Sequence, residues 1–100
     1  MFDNTKRGAV RTDNCNIPVQ MISVCGTDGR LRPLRFRVED GESEMHTLYV
    51  REIVDTRQTD FTGLEAFRFL CRAEDEGGEH LLELRYDVRA HRWTLRRRLY

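Results

Sequence analysis

Hydrophobic and polar residues alternate along much of this chain with a period of two, which is typical of β-strands that bury one face. The alternation is clearest in residues 66–99, where it predicts three antiparallel strands. Gly77-Gly78 fits the turn of the first hairpin, because glycine accepts the positive φ that such turns require. Residues 88–91 form the second turn of this predicted meander.

Both faces of the meander favour one register. On the core face, folding about Gly77-Gly78 and then about residues 88–91 pairs Cys71 with Leu84, Phe69 with Tyr86, Phe67 with Val88, Tyr86 with Trp93 and Leu84 with Leu95. On the outer face it pairs Arg72 with Glu83, Arg68 with Asp87, Asp87 with Arg92 and Glu83 with Arg96. A slip of one residue would reverse every side chain, so the agreement of the two faces supports this register. Arg97 interrupts the inner alternation and predicts a strand end or a bulge.

The earlier part of the chain predicts further strands. Residues 17–25 and 34–39 flank Asp28-Gly29, a strong hairpin signal, with Leu34, Phe36 and Val38 facing the core. This hairpin pairs Val19 with Val38, Met21 with Phe36 and Ser23 with Leu34, and it requires either a bulge or a cover over Ile22 and Val24. Residues 46–54 form a strand whose inner face is either Leu48 and Val50 or Tyr49 and Ile53. Residues 55–63 are polar and are predicted to be a long connection across a barrel end.

These elements predict an all-β fold, a small antiparallel barrel or strongly curled sheet of five to six strands that ends in the three-stranded meander. A sixth strand would come from a division of residues 17–25. No stretch has helical periodicity. Residues 1–16 are polar and aperiodic, so we expect a flexible tail, followed by a single domain over residues 17–100.

Composition limits the possible partners and location. The 17 basic and 17 acidic residues cancel, so no global field draws the chain to nucleic acid or to an anionic membrane. Cys15, Cys25 and Cys71 have no CxxC spacing, which indicates free thiols in a reducing compartment and predicts a cytoplasmic location. No apolar run reaches membrane-spanning length, so we expect no membrane partner.

Two groups of outward residues are candidates for binding. The outer face is rich in arginine, and the arginines without an obvious acidic partner are candidate contacts for an anion or nucleic acid: Arg35, Arg37, Arg85, Arg97 and Arg98. Against this, the aromatic residues alternate inward, whereas a base-stacking platform needs both residue types on one face. Ile22, Val24 and Leu70 have outward parity and are candidates for a protein interface, unless the tail or residues 55–63 cover them.

No catalytic motif is present in the sequence. GxSxG, HExxH and a phosphate-binding glycine loop are all lacking, and Cys71 has the inward parity of an inert core thiol. The acidic stretches 40–44 and 74–79 do not match a calcium loop. We therefore predict no catalytic residue, no metal ligand and no cofactor, and an enzyme is the less favoured class.

Residues 33–100 resemble a group of short bacterial all-β proteins that has no established activity, cofactor or partner. The resemblance is carried by Pro33-Leu34-Arg35-Phe36-Arg37, Phe69-Leu70-Cys71-Arg72, Leu84-Arg85-Tyr86 and Trp93-Thr94-Leu95. It implies the all-β fold and transfers no functional residue. The sequence thus predicts a non-catalytic protein-binding or adaptor module, whose partner is an unidentified protein or a second copy of the chain. The alternative is single-stranded nucleic-acid binding through outward arginines.

Overall fold

Six antiparallel strands close into a barrel in sequence order. The computed structural model describes residues 13–39, 42–61 and 64–99. The strands are β1 (Asp13–Cys25), β2 (Leu31–Glu39), β3 (Met45–Phe61), β4 (Leu64–Asp75), β5 (Gly78–Asp87) and β6 (Arg92–Arg98). Each strand pairs with the next, β1 also pairs with β6, and no helix occurs in these residues. The predicted all-β barrel and its C-terminal meander are confirmed.

Strand β1 closes the barrel because it changes partner along its length. Gln20 to Cys25 pair with β2, whereas Asp13 to Val19 pair with β6. The division expected within residues 17–25 is therefore a change of neighbour inside one continuous strand. Strand β1 starts at Asp13, within the segment predicted as a tail, and residues 1–12 lie outside the described part of the chain.

The barrel interior holds one apolar core that draws on β2 to β6. Its buried members are Phe36, Leu48, Phe69, Cys71, Ala73, Leu82, Leu84, Trp93 and Leu95. Its aromatic residues form a cluster, since the ring centre of Trp93 lies 5.5 Å from that of Phe69 and 5.0 Å from that of Tyr86. Aromatic pairs at such distances stabilise a core beyond the area that they bury.

The first hairpin confirms one predicted pair and corrects another. Met21 lies opposite Phe36, as predicted, but a bulge then shifts the register so that Ser23 lies opposite Pro33 and not Leu34. Leu34 is the extra residue of this bulge, and it is 46% exposed while Pro33 is fully buried. The prediction of an inward Leu34 was wrong because a bulge turns one residue out of the alternation.

Strand β3 is longer than predicted and changes its inner face. It bulges between Val50 and Glu52 and again between Ile53 and Asp55. The first bulge lets Leu48 and Val50 face the core before it and Ile53 after it. Both residues of the first predicted face therefore turn inward, whereas of the alternative face only Ile53 does, because Tyr49 is exposed. The strand continues to Phe61, which corrects the predicted connection over residues 55–63. Main-chain pairing with β4 holds this polar stretch, and its side chains carry no alternation that the sequence could reveal.

The meander keeps its predicted faces but not all of its predicted pairs. In the β4–β5 hairpin the pairs are Cys71 with Leu82, Phe69 with Leu84, Phe67 with Tyr86, Arg72 with Leu81 and Arg68 with Arg85. The predicted partners were each two residues further along, because the turn is Glu76-Gly77, and Gly78, with φ 122°, already belongs to β5. A shift of two residues preserves the faces. The β5–β6 hairpin confirms Tyr86–Trp93, Leu84–Leu95 and Asp87–Arg92.

A matched pair of leucine substitutions tests this placement. Leu84→Ala empties a fully buried core position, so we expect it to lower the free energy of unfolding by about 2–5 kcal/mol. Leu34→Ala removes the same atoms from an exposed bulge and should cost less than about 1 kcal/mol. Urea unfolding of both variants measures the difference. Equal losses would mean that Leu34 lies in the core, as simple alternation predicts.

Candidate functional site

Most of the predicted site residues lie in one of two regions of the outer face, and the first region surrounds Glu83. Glu83 has outward parity on β5 but is only 5% exposed. Its Oε1 accepts hydrogen bonds from Arg97 Nε at 2.9 Å and Nη2 at 2.6 Å, and its Oε2 accepts one from Arg68 Nη1 at 3.2 Å. Both carboxylate oxygens are thus engaged by arginines, in charge-assisted hydrogen bonds.

These partners differ from the predicted ones. Glu83 was expected between Arg72 and Arg96. Strand β6 instead contains a bulge, as the interrupted alternation at Arg97 predicted. This bulge pairs Glu83 with Arg97 and leaves Arg96 as the extra residue. The shifted β4–β5 register brings Arg68 close, diagonally across the strands. Arg72 forms an ion pair with Glu52 instead, at 3.1 Å. Arg97 therefore holds β6 to β5 and is not a free anion contact.

Leu70 also belongs to this first region. It lines a groove together with Asp55, Arg57, Glu83 and Leu99. Asp55, which lies opposite Leu70 in the β3–β4 ladder, forms an ion pair with Arg57 at 3.0 Å. The three residues predicted as one protein interface are therefore separated, since Ile22 and Val24 lie on β1 in the β1–β2 ladder.

The second region is a row of residues that runs across four strands. Ile22 lies opposite Arg35, Arg35 opposite Tyr49, and Tyr49 opposite Glu74. Adjacent strands are about 4.8 Å apart, so these side chains are direct neighbours on the outer face. Ile22 is 48% exposed and Tyr49 is 41% exposed. We call the groove on the basic side of this row the Tyr49 surface, and its outward residues are Gln20, Ile22, Arg35, Arg37, Thr47 and Tyr49.

Two of the five predicted anion contacts meet on the Tyr49 surface. Arg35 and Arg37 are both exposed on β2, and Arg37 Nη1 donates a 3.4 Å hydrogen bond to Gln20 Oε1. Arg85 lies on β5 opposite Arg68 and Thr94, and Arg98 lies on β6 opposite Leu82 and Asp13. The five arginines therefore do not form one continuous basic track.

An acidic groove adjoins the Tyr49 surface and shares Thr47 and Tyr49 with it. Its other lining residues are Met45, His46, Arg51, Glu74, Asp75 and Glu76. Arg51 Nε donates to Glu74 Oε1 at 2.8 Å, and its guanidinium carbon lies 5.6 Å from the centre of the Tyr49 ring. Tyr49 thus stands between a basic side formed by β2 and an acidic side formed by the end of β4.

The negative charge of the acidic groove is supported by local hydrogen bonds. Desolvation acts to raise the pKa of Asp75, but hydrogen bonds from the His80 ring at 2.9 Å and the Gly77 amide at 2.8 Å outweigh it and lower the pKa. Bonds that favour the charged form keep a carboxylate ionised at neutral pH. The tip of the β4–β5 hairpin therefore carries its charge under ordinary conditions.

The thiols and imidazoles serve other contacts. Cys71 is fully buried, which confirms its predicted place in the core, and this burial raises the pKa of its thiol to about 12. His80 contacts Asp75, and His91 Nδ1 lies 3.0 Å from the Tyr86 hydroxyl. Within the described ranges, no three of the His, Cys, Asp and Glu side chains are grouped so as to hold a metal ion.

Sequence reasoning missed the central residue of the second region. Tyr49 was assigned to one of two possible inner faces, because the bulges of β3 hide which residues face inward. Adjacent residues of a strand face opposite sides, so the choice of Leu48 as a core residue would have placed Tyr49 on the outer face. Leu48 is indeed buried in the core.

Comparison with protein-family models, with curated proteins and with solved structures found no significant match to this chain. The resemblance to short bacterial all-β proteins stays a prediction. In the part of the chain that the structure describes, no helix is long and apolar enough to cross a membrane.

Substitution of Glu83 tests whether the first region stabilises the fold. Glu83→Gln removes the charge that two arginines share in a nearly buried position, so we expect the free energy of unfolding to fall by about 1–3 kcal/mol, a range that allows for the partial exposure of both arginines. Glu52→Gln breaks an exposed pair and should cost less than about 1 kcal/mol. Urea unfolding compares the two variants. An equal effect at both positions would contradict the stabilising role of Glu83.

Proposed function

We propose that this protein is a non-catalytic binding module that docks a protein partner through the Tyr49 surface. The observation that carries the proposal is the exposed row Ile22–Arg35–Tyr49, in which two large apolar or aromatic side chains flank an arginine. Met45 extends this exposed stretch along β3 and is 48% exposed. An exposed group of this kind on a small domain indicates an interaction site.

The residue types of this region match those of interface centres. Tyrosine, methionine and arginine are enriched at protein interfaces, whereas lysine is depleted. Tyrosine and arginine also dominate the binding energy of many interfaces. Arg35, Arg37 and Tyr49 all lie on paired strands of the barrel, so their backbone loses little conformational freedom when a partner binds.

Side-chain docking is better supported than addition of a strand at a sheet edge. Strand β3 pairs with β2 only from Met45 to Tyr49, and its later residues pair with β4 alone. This open edge is charged and is interrupted by bulges at Arg51 and Val54. Both features discourage pairing with another strand.

The chemistry of the outer face supports a non-catalytic role. Glu83 is engaged by two arginines, and Asp75 is engaged by His80 and the Gly77 amide. Cys25 is a free thiol on an exposed residue, which suits a reducing compartment such as the cytoplasm. The module would act there by contact, with the barrel as a rigid support.

Site-specific photo-crosslinking in the cells of origin tests the proposal. A benzophenone amino acid at Met45 should cross-link to a protein partner, because this exposed position lies on the same outward stripe of β3 as Tyr49 and lines the same groove. The same group at Ala90, an exposed residue of the β5–β6 turn, is the matched control. Tyr49→Ala should abolish the Met45 cross-link. Equal cross-linking at Met45 and Ala90, or insensitivity to Tyr49→Ala, would contradict the proposal.

Single-stranded nucleic-acid binding is the second candidate, and one observation favours it. Tyr49 is exposed beside Arg35, so an aromatic ring and an arginine share one outer face, contrary to the expectation that the aromatics all turn inward. The adjacent acidic residues Glu74 and Glu76 would repel phosphates, which makes this the weaker candidate.

A titration with fluorescent single-stranded oligonucleotides over a salt series decides this alternative. Binding through Arg35 and Arg37 would give an affinity that falls steeply with salt, because phosphate contacts release counterions. It would also weaken on Arg35→Gln and Tyr49→Ala. We expect no saturable binding at physiological salt, and a salt-sensitive affinity lost in both variants would replace the protein-docking proposal.

A further inference from the structure

The distribution of charge about Tyr49 identifies the kind of partner. We infer that the Tyr49 surface and the acidic groove of one chain dock onto the same two features of a second copy, related by a two-fold axis that runs parallel to β3. This inference rests on the proposed docking function and adds the identity of the partner. Its basis is the order of charges across three neighbouring strands.

Strand β3 supplies a neutral stripe between two charged sides. Residues 45–50 include no Asp, Glu, Lys or Arg. Met45, Thr47 and Tyr49 alternate outward along this stripe, while Leu48 between them is buried. Arg35 and Arg37 lie one strand away on β2, opposite Tyr49 and Thr47. Glu74 lies one strand away in the other direction, on β4.

A two-fold axis along the neutral stripe makes this arrangement self-complementary. Rotation about such an axis exchanges the two sides, so the basic side of each chain faces the acidic side of its partner. Arg35 of one copy then faces Glu74 of the other, and Arg37 faces the hairpin tip at Glu76. Residues on the stripe meet their own counterparts, which places Tyr49 against Tyr49. Every charged contact therefore occurs twice.

Glu74 already pairs with Arg51, yet it can accept a second arginine. The same chain contains such an arrangement, because Glu83 accepts hydrogen bonds from Arg68 on one oxygen and from Arg97 on the other. Arg51 donates through its Nε to Glu74 Oε1. The Oε2 side of Glu74 would receive Arg35 of the second copy in the same manner.

A second copy fits better than a partner of one charge sign. An acidic protein or a nucleic acid that covered Arg35 and Arg37 would bring its negative charge against Glu74 and Glu76 one or two strands away. A basic partner would meet the converse repulsion at Arg35. Like charges across an interface suppress binding, whereas a self-complementary pattern satisfies both sides.

Charge reversal on each side, followed by mixing, tests the inference by analytical ultracentrifugation. The wild-type chain should show a concentration-dependent monomer–dimer equilibrium. Arg35→Glu alone sets two carboxylates against each other at both contacts, and Glu74→Arg alone sets two guanidinium groups against each other. Each variant should therefore raise the dimer dissociation constant about tenfold or more. An equimolar mixture of the two should form a heterodimer, because one of its two contacts keeps the wild-type pair and the other carries the same pair with its charges exchanged.

Two further variants keep the experiment decisive. Arg89→Glu reverses an exposed charge on the β5–β6 turn and should leave the equilibrium unchanged. Glu76 lies in the hairpin turn, so Glu76→Arg preserves the Arg51–Glu74 pair. This variant replaces Glu74→Arg if Glu74→Arg unfolds, and Arg37→Glu is then the complementary variant. Circular dichroism verifies that each variant is folded.

The possible outcomes separate this inference from the proposed function. A wild-type chain that stays monomeric at all concentrations, or variants that fail to associate when mixed, overturn the inference. If Met45 nevertheless cross-links to a different protein in cells, the docking function stands and its partner is not a second copy. If neither self-association nor a Tyr49-dependent cross-link is found, both proposals fail.

Discussion

The hydrogen bonds that strand β1 makes to two different neighbours are the constraint on which the rest of the structure depends. Its first half completes the ladder of β6 and its second half starts the ladder of β2, and this change of partner turns a curled sheet into a closed barrel. Closure places Phe36, Phe69, Leu82 and Trp93 in one interior, although they come from four different strands. A chain of this length has little apolar surface to spare, so a single enclosed core is the solution that buries most of it. The outer face is then left for polar contacts, and the proposed function places binding there as well.

Bulges in the strands allow this sequence to form a closed barrel. A barrel requires strands that bend and twist, and a bulge bends a strand by the insertion of one residue. Each inserted residue also changes which side chains face outward. The bulge in β2 exposes Leu34 and buries Pro33, whereas the bulge in β6 turns Arg97 onto Glu83. The bulge at Arg51 allows Ile53 to join the core while Tyr49 stays on the outer face.

The charges of the outer face are arranged differently in two regions. Around Glu83, a nearly buried carboxylate is engaged by two partly exposed arginines, which stabilises the contact of β4 and β6 with β5. Around Tyr49, the uncharged residues 45–50 of β3 separate Arg35 and Arg37 on β2 from Glu74 on β4. The same residue types thus engage one another in one region, whereas in the other the proposed function assigns them to recognition. The difference lies in whether the sheet register brings arginine and glutamate together or holds them on opposite sides of a neutral strand.

The sequence alone determined the strand character of the chain, the Asp28-Gly29 hairpin and the pairs Tyr86–Trp93 and Leu84–Leu95, because local alternation and short turns specify these features. It also placed Arg35 and Arg37 on the outer face and Cys71 in the core. Only the tertiary structure decided the two partners of β1, the full length of β3, the arginines that engage Glu83 and the exposure of Tyr49. Each of these depends on bulges or on strands that are distant in sequence. A hydrophobic alternation of period two does not show at which residue a bulge adds an extra position to a strand. The residues of the candidate site were therefore visible in the sequence as outward arginines, whereas their arrangement about Tyr49 follows from barrel closure.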